Sequence, residues 1–232
     1  MKGSEKGNAI LRKAALGWLV LALGVFLGLA AAPAGAEPSV DGSTGLIFVP
    51  SADVLPSGNF SLGFHLVRSE NYLSFNFGLV ENLEIGADSV FVQGGRTATF
   101  LNAKYRFLPE RKDAPALALG VKALNENSRV LYLVASKALP ELAGVRGHLG
   151  LGTGDQGLFL GVSKVLNPVS VRPSGKQSQW YGGLPPTTLL AEFDGRQLNL
   201  GARLEVSPGL HLGAYLLNLH DGMIGLSYTT RF

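Results

Sequence analysis

The last ten residues of the chain read Met223-Ile-Gly-Leu-Ser-Tyr-Thr-Thr-Arg-Phe232. From Ile224 to Phe232, every second residue is β-branched, aliphatic or aromatic, and the residues between them are small or polar. This period of two is typical of a β-strand with one apolar face and one polar face. We therefore predict a strand here, with Tyr228 and Phe232 on its apolar face.

This ending resembles the last strand of bacterial outer-membrane proteins, which commonly close with Phe and have hydrophobic residues at alternate positions before it. The resemblance implies that the last strand pairs with the first, so that the sheet leaves no open edge in a bilayer. The alternative is the last strand of a soluble β-sandwich.

The amino terminus has the pattern of an export signal. A positively charged stretch, residues 2–13, precedes an apolar run over residues 14–32, and Ala34-Gly-Ala36 offers an A-x-A cleavage site. We predict a signal peptide over residues 1–36, with cleavage after Ala36. The alternative is a retained membrane anchor, because the apolar run approaches the length of a transmembrane helix.

Charge and cysteine content exclude several classes of function. Four of the 20 Lys and Arg residues and one of the 17 Asp and Glu residues precede residue 37, so 16 of each sign remain. The basic character thus belongs to the predicted signal, and we expect no nucleic acid partner, since such binding needs a clustered basic surface. Because the chain has no Cys, it can form neither disulfides nor Cys-based metal sites.

From Asn59 onward, alternating segments are separated by tight-turn residues such as Gly94-Gly95 and Ser207-Pro-Gly209. The predicted strands are residues 59–67, 71–79, 83–92, 97–107, 116–124, 129–137, 144–152, 156–165, 187–194, 197–206, 210–217 and 222–232. Their even number and their length suit an antiparallel transmembrane β-barrel of about twelve strands. One connection, residues 167–186, is long and irregular, so it is either a functional loop or hides a missed strand.

The stretch Thr44-Gly-Leu-Ile-Phe-Val-Pro-Ser-Ala52 lies just before the first predicted strand. It resembles the start of YjbH-like domains, which occur in outer-membrane β-barrel proteins linked to exopolysaccharide production. The matching residues are Gly45, Leu46, Ile47, Pro50, Ala52 and Gly58. We predict that residues 37–58 form a periplasmic linker or plug and that residues 59–232 form the barrel. The alternative for the first segment is a short strand ahead of the barrel.

The sequence shows no convincing catalytic constellation. The four His residues lack metal-ligand spacing, and no phosphate-binding loop is present. The one candidate for a hydrolase is His148 with Asp88 or Glu192. We therefore predict no catalytic, cofactor or metal residues and no enzyme activity.

The polar faces of the predicted strands carry charges of both signs. If these faces point inward, the lumen holds Glu84, Asp88, Lys104, Arg106, Lys122, Arg146, His148, Glu192, Arg203, Glu205 and Arg231. Buried charges need partners, so we expect ion pairs across the barrel and a filled or narrow lumen. The alternative is a polar path for a glycan or a small solute, although an ion-selective pore would show one sign of charge.

The YjbH resemblance implies an outer-membrane protein that produces, exports or anchors an extracellular polysaccharide. The expected partners are outer-membrane lipid and the barrel-assembly machinery, with polysaccharide or envelope export proteins as further candidates. The alternative functions are a general diffusion channel and, less favoured, an outer-membrane hydrolase.

Overall fold

The computed structural model describes residues 37–127, 129–142, 144–166 and 185–231; of residues 230 and 231 it describes the backbone alone. The predicted signal peptide, most of the connection 167–186, and Phe232 lie outside the described residues. Within these described ranges, no helix is both long and apolar enough to cross a membrane.

Twelve β-strands account for nearly all of the regular structure in the described residues. They are β1 (Asn59–Val67), β2 (Glu70–Val80), β3 (Leu83–Val92), β4 (Thr97–Leu108), β5 (Ala116–Lys122), β6 (Val130–Leu139), β7 (Val145–Gly152), β8 (Leu158–Leu166), β9 (Thr187–Phe193), β10 (Leu198–Ser207), β11 (Leu210–Leu217) and β12 (Asp221–Arg231). Short 3-10 turns occupy Pro140–Leu142 and Gly154–Gln156. The predicted strands are confirmed, and their ends agree to within about two residues, as expected of strand boundaries read from sequence.

The twelve strands form one closed antiparallel barrel in which each strand pairs with its sequence neighbours. Closure comes from β1 and β12, whose register runs from Asn59 opposite Arg231 to Val67 opposite Met223. Tyr228 faces Leu62 across this seam. In the described residues, the last strand thus pairs with the first and closes the barrel.

The barrel exposes its apolar strand faces and buries its polar ones, which is the opposite of a soluble protein. Large aliphatic residues on one face of each strand are exposed, as with Leu149 and Leu151 on β7, whereas His148 between them is 5% exposed. Alternating side chains point to opposite faces of a strand, so the apolar face looks outward and the polar face looks into the lumen. This arrangement suits a barrel wall in lipid and excludes the soluble sandwich.

We call the end of the barrel at which β1 begins the proximal end, and the opposite end the distal end. Because neighbouring strands are antiparallel, odd-numbered strands begin at the proximal end and even-numbered strands end there. The connections there include the tight β2–β3 turn, in which Asn82 takes a positive φ of 65° that Asn tolerates better than most residues.

Candidate functional site: a lumen filled by residues 37–58

Residues 37–58, called the luminal segment below, lie inside the barrel. Their apolar side chains are almost fully buried: Val40, Leu46, Ile47, Val49, Ala52 and Leu55 are each at most 2% exposed. Their backbone bonds to inward-facing side chains of strands around the wall, from β2 to β10. The segment therefore fills the space that a solute would need to cross the barrel.

The luminal segment folds as two tight loops. Isolated bridges join Pro38 to Thr44 and Gly45 to Pro50, and the Leu46 N–H donates to the Val49 carbonyl at 2.8 Å. A Cβ at position 45 would lie 2.4 Å from the Val49 oxygen, so only Gly fits there. Irregular backbone of this kind leaves many N–H and C=O groups without a ladder partner, and in a buried site the wall must supply those partners.

Glu192 on β9 accepts three of these N–H groups. Its carboxylate oxygens lie 2.9 Å from the Ile47 nitrogen, 2.8 Å from that of Phe48 and 3.1 Å from that of Val49. The Asn199 amide adds a fourth donor at 3.1 Å. Because three successive backbone N–H groups converge on this one buried carboxyl group, it fixes one turn of the luminal segment.

Glu84 and Lys104 form the second anchor, on β3 and β4. Their side chains lie 3.1 Å apart and are both fully buried. Glu84 accepts the N–H groups of Thr44 at 2.8 Å and Leu55 at 3.0 Å, while Lys104 donates to the Thr44 carbonyl at 2.7 Å. The pair thus neutralises itself and satisfies both ends of the loop between Thr44 and Leu55.

Arg203 on β10 forms the third anchor, through backbone carbonyls. Its guanidinium donates to the carbonyl oxygens of Pro38 and Gly45 at 3.2 Å each, and also to that of Leu46. Its Nε donates to the Tyr215 hydroxyl at 3.1 Å. The planar, multiply donating guanidinium suits several carbonyls at once, which a lysine could not match.

Glu37 begins the described part of the segment and is held by His211 and Arg203. The His211 Nε2 lies 2.7 Å from its carboxylate, and Arg203 lies 3.6 Å away. Burial raises the pKa of Glu37, but the hydrogen bond and charge of His211 and the charge of Arg203 lower it by more, so its pKa lies below the ordinary value. The group is therefore a carboxylate at neutral pH.

Arg146 near the proximal end of β7 joins the segment to a turn. It lies 2.8 Å from Asp53 and 2.5 Å from Glu110 in the β4–β5 turn. Burial raises the pKa of Glu110, but the N–H of Ala138 and the nearby Arg146 lower it by more, so the net shift is downward. At the distal end of β5, Lys122 pairs with Asp41 in the same manner, at 2.5 Å.

These partners correct the sequence-based expectation of ion pairs across the barrel. In the described residues, Glu84–Lys104 is the ion pair between two wall strands, while Lys122, Arg146 and Arg203 reach the luminal segment. The reason is the filling of the lumen: a segment in the centre lies closer to each wall charge than the opposite wall does.

The other charged residues predicted for the lumen have local partners. Arg106 donates to Asn82 in the β2–β3 turn, Asp88 accepts from Asn102, and Glu205 accepts from the Gly209 N–H in its own turn. The Arg231 side chain lies outside the described residues.

The structure does not assemble the hydrolase candidate. His148 Nδ1 lies 2.9 Å from Ser136 Oγ, which in turn accepts the Ala52 N–H at 2.8 Å. The recorded side-chain partners of Asp88 and Glu192 lie elsewhere, on Asn102 and on the luminal segment. In the part of the chain that the structure describes, no group of three or more His, Asp or Glu side chains could hold a metal ion.

Sequence reasoning missed the apolar side of the lumen. Tyr132, Phe159 and Tyr215 point inward and pack with the segment in one buried cluster. Each ring lies over a wall glycine: a Cβ at Gly120, for example, would meet Tyr132 at 2.2 Å. The sequence did carry a signal for this cluster, namely an aromatic residue on the inward face of a strand. A water-filled lumen does not require aromatic side chains at such positions.

The family comparison fits this geometry. The model of the YjbH family, described as "Exopolysaccharide biosynthesis protein YbjH", matches residues 39–197. This chain belongs to the YjbH family. The match begins at residue 39, so the family model covers most of the luminal segment as well as the strands up to β9. The resemblance to this family, stated from the motif between Gly45 and Gly58, is confirmed. No curated protein matches this YjbH-family chain in sequence.

Solved structures show a similar fold. KdgM porin matches with a TM-score of 0.50 at 8% identity, over 75% of this chain and 99% of KdgM. The structure titled "KdgM porin in complex with disordered oligogalacturonate" gives 0.50 at 7% identity, with the same coverage. Omp33, an outer membrane protein of Acinetobacter baumannii, gives 0.43 at 9% identity, over 75% of this chain and 97% of Omp33. At these identities the likeness concerns the fold alone.

Proposed function

We propose that this YjbH-family barrel is a non-enzymatic outer-membrane protein that takes part in the production, export or anchoring of an extracellular polysaccharide. In this proposal the exposed apolar side chains on the outside of the barrel contact the lipid of the outer membrane, and the proximal end faces the periplasm. Residues 1–36 act as the export signal, and the barrel-assembly machinery inserts the chain.

The observation that carries the proposal is the filled lumen. A general diffusion channel needs a continuous aqueous path, whereas here the luminal segment contributes six almost fully buried apolar side chains to the interior. It is also bonded to the wall by Glu192, Glu84 and Arg203. A wall that supplies so many partners to one segment is built to hold that segment, and family membership supports a polysaccharide-related role for the closed barrel.

Two measurements test the role. Deleting the gene is expected to reduce the yield of extracellular polysaccharide while leaving the uptake of small hydrophilic solutes unchanged, and expression of the full chain is expected to restore the yield. The purified protein in planar lipid bilayers is expected to show little steady conductance. An unchanged polysaccharide yield would overturn the role, and large steady currents would overturn the closed lumen.

The second candidate is a solute channel, favoured by the similarity to the KdgM porin fold. One matching structure is that of the KdgM porin in complex with disordered oligogalacturonate, so a protein of similar fold binds a carbohydrate chain. In this reading the luminal segment is a gate. Steady currents from the wild-type chain, with no polysaccharide defect on deletion, would favour the channel.

A further inference from the structure

One group of luminal side chains lies beside the anchor formed by Glu84 and Lys104 but belongs to none of the anchors described above. Strands β12, β1, β2, β3 and β4 are consecutive in the closed barrel. Their inward faces carry a group of buried uncharged polar side chains, called the neutral stripe below. The neutral stripe consists of Asn59, Ser61, Ser74, Asn76, Asn102 and Thr229.

The register places most of these side chains in one row. Ser61 pairs with Thr229 on one side and with Asn76 on the other. Asn76 pairs with Gly86, and Gly86 pairs with Asn102. Four polar side chains and one glycine therefore run side by side around the wall, and Asn59 and Ser74 flank the row one inward position away.

The polar atoms of the stripe are buried without partners. Both side-chain polar atoms of Asn59, the hydroxyls of Ser61, Ser74 and Thr229, and the amide oxygens of Asn76 and Asn102 are inaccessible and have no hydrogen bond. Each such atom costs free energy, since it has left water without replacing its hydrogen bonds. Unpaired donors and acceptors that cluster on one wall form a surface suited to a ligand that can supply both kinds of hydrogen bond.

The luminal segment covers the stripe but hardly bonds to it. Gly42 lies against it so closely that a Cβ there would come within 2.5 Å of the Asn102 amide nitrogen. Among the described residues, the hydrogen bond from stripe to segment is the one from the Asn76 amide to the Gly42 carbonyl. The segment is held instead by Glu84 and Lys104 beside the stripe and by the charged anchors on β9 and β10.

We propose that the neutral stripe is a binding site for an uncharged, polyhydroxylated glycan segment, and that the luminal segment occludes this site in the closed barrel. Amides and hydroxyls both donate and accept hydrogen bonds, as sugar hydroxyls do. Displacing the segment exposes a row of matching groups. The site rests on the proposed polysaccharide role and names the class of polymer.

The charges beside the stripe favour a neutral glycan over an acidic one. Asp88, 3.1 Å from the Asn102 amide, puts a carboxyl at its edge. Lys104 keeps its partner Glu84 when the segment leaves, whereas Lys122 on β5 loses Asp41. An acidic chain would thus meet the Asp88 carboxyl beside the stripe and a released cation only on β5, whereas a neutral chain meets no opposing charge.

The test uses the full chain folded in detergent and three defined probes: maltohexaose and cellohexaose, which are uncharged, and hexagalacturonate, which is acidic. Binding is measured by titration calorimetry on the wild type and on Glu192→Ala, in which the luminal segment loses its three-N–H acceptor. We expect an uncharged hexasaccharide to bind, more tightly to Glu192→Ala, and hexagalacturonate to bind more weakly. Absence of neutral binding to both proteins, or tighter binding of hexagalacturonate, would overturn the site.

A stripe variant separates a binding role from a structural one. Ser61→Ala with Thr229→Val removes two hydroxyls that have no partner, so the melting temperature of the barrel should stay the same or rise, while neutral binding weakens about tenfold. The matched control is Ser89→Ala with Thr99→Val. These two residues lie outside the stripe, and their hydroxyls form a hydrogen bond of 2.8 Å with each other. A lower melting temperature for the stripe variant, or unchanged binding, would overturn the site.

A disulfide lock tests occlusion. The Ala52 nitrogen lies 2.8 Å from Ser136 Oγ, and the chain has no Cys of its own, so Ala52→Cys with Ser136→Cys tethers the segment to β6. We expect the oxidised form to bind no neutral hexasaccharide and the reduced form to bind it; equal binding would overturn occlusion. If these binding tests fail but gene deletion still reduces the polysaccharide yield, the stripe is rejected and the proposed function stands. If the glycan binds but deletion leaves the yield unchanged, the proposed function is rejected.

Discussion

Substitution of Glu192 by Ala is expected to release the luminal segment from the wall. The wild-type carboxylate accepts the N–H groups of Ile47, Phe48 and Val49 at 2.8 to 3.1 Å. Ala leaves those three donors buried without an acceptor. At about 1–3 kcal/mol for each unpaired group, the docked state loses about 3–9 kcal/mol.

The observable effect has a ceiling set by undocking. Once the segment leaves the lumen, water hydrates the three donors, so the measured loss cannot exceed the free energy that holds the segment in place. Glu192→Gln should give an intermediate result, because the side-chain amide keeps one acceptor oxygen but turns an NH2 group towards the remaining donors.

Single-channel recording in planar bilayers measures this release. Wild type is expected to stay mostly closed, Glu192→Gln to open occasionally, and Glu192→Ala to show frequent conducting steps. The matched control is Glu205→Ala, since Glu205 accepts the Gly209 N–H within its own turn and makes no recorded bond to the segment. If Glu192→Ala conducts no more than Glu205→Ala, then the carboxylate does not hold the lumen closed.

Three further substitutions probe the anchors. Gly45→Ala places a Cβ 2.4 Å from the Val49 oxygen, so it should distort the segment and lower the temperature at which the barrel loses its heat-modifiable gel migration; an unchanged temperature would contradict the tight loop. Arg203→Lys keeps the charge but not the several simultaneous donors, so it should weaken segment docking and raise the rate of proteolysis within residues 37–58, and equal rates would refute this role. The pKa of Glu110 lies below its ordinary 4.5, so its stabilising bond to Arg146 is complete above that pH and fades as pH falls through the lowered value. The melting temperature of Glu110→Gln should therefore lie below that of wild type at pH 7 and approach it in acid, whereas a constant difference would count against the ion pair.

Much of the barrel was predictable because its rule is local. Lipid outside and polar packing inside impose a period of two on each strand, and this pattern can be read within ten residues, as in Thr97–Leu108. Turn residues such as Ser207-Pro-Gly209 marked the ends of the strands. The last strand also carried the closure signal, since its apolar face continues the outer surface beside β1.

The use of the inward charges could not be read in the same way. The sequence showed that Glu84, Lys104, Glu192 and Arg203 would face the lumen, but not which groups they bind. Nothing in the periodicity of β9 indicates that its Glu192 accepts backbone N–H groups of a loop that precedes the barrel.

The sequence by itself determined a closed, lipid-facing antiparallel barrel and membership in a family, because both reside in short-range patterns. Only the tertiary structure decided that residues 37–58 fill the lumen, and that charged residues on several strands bind them while most polar atoms of the neutral stripe remain unpaired. Glu192 and Ile47 are 145 positions apart in the chain. An irregular segment has no sequence periodicity from which its contacts can be predicted. Its hydrogen bonds to distant strands can therefore be seen only in the folded barrel.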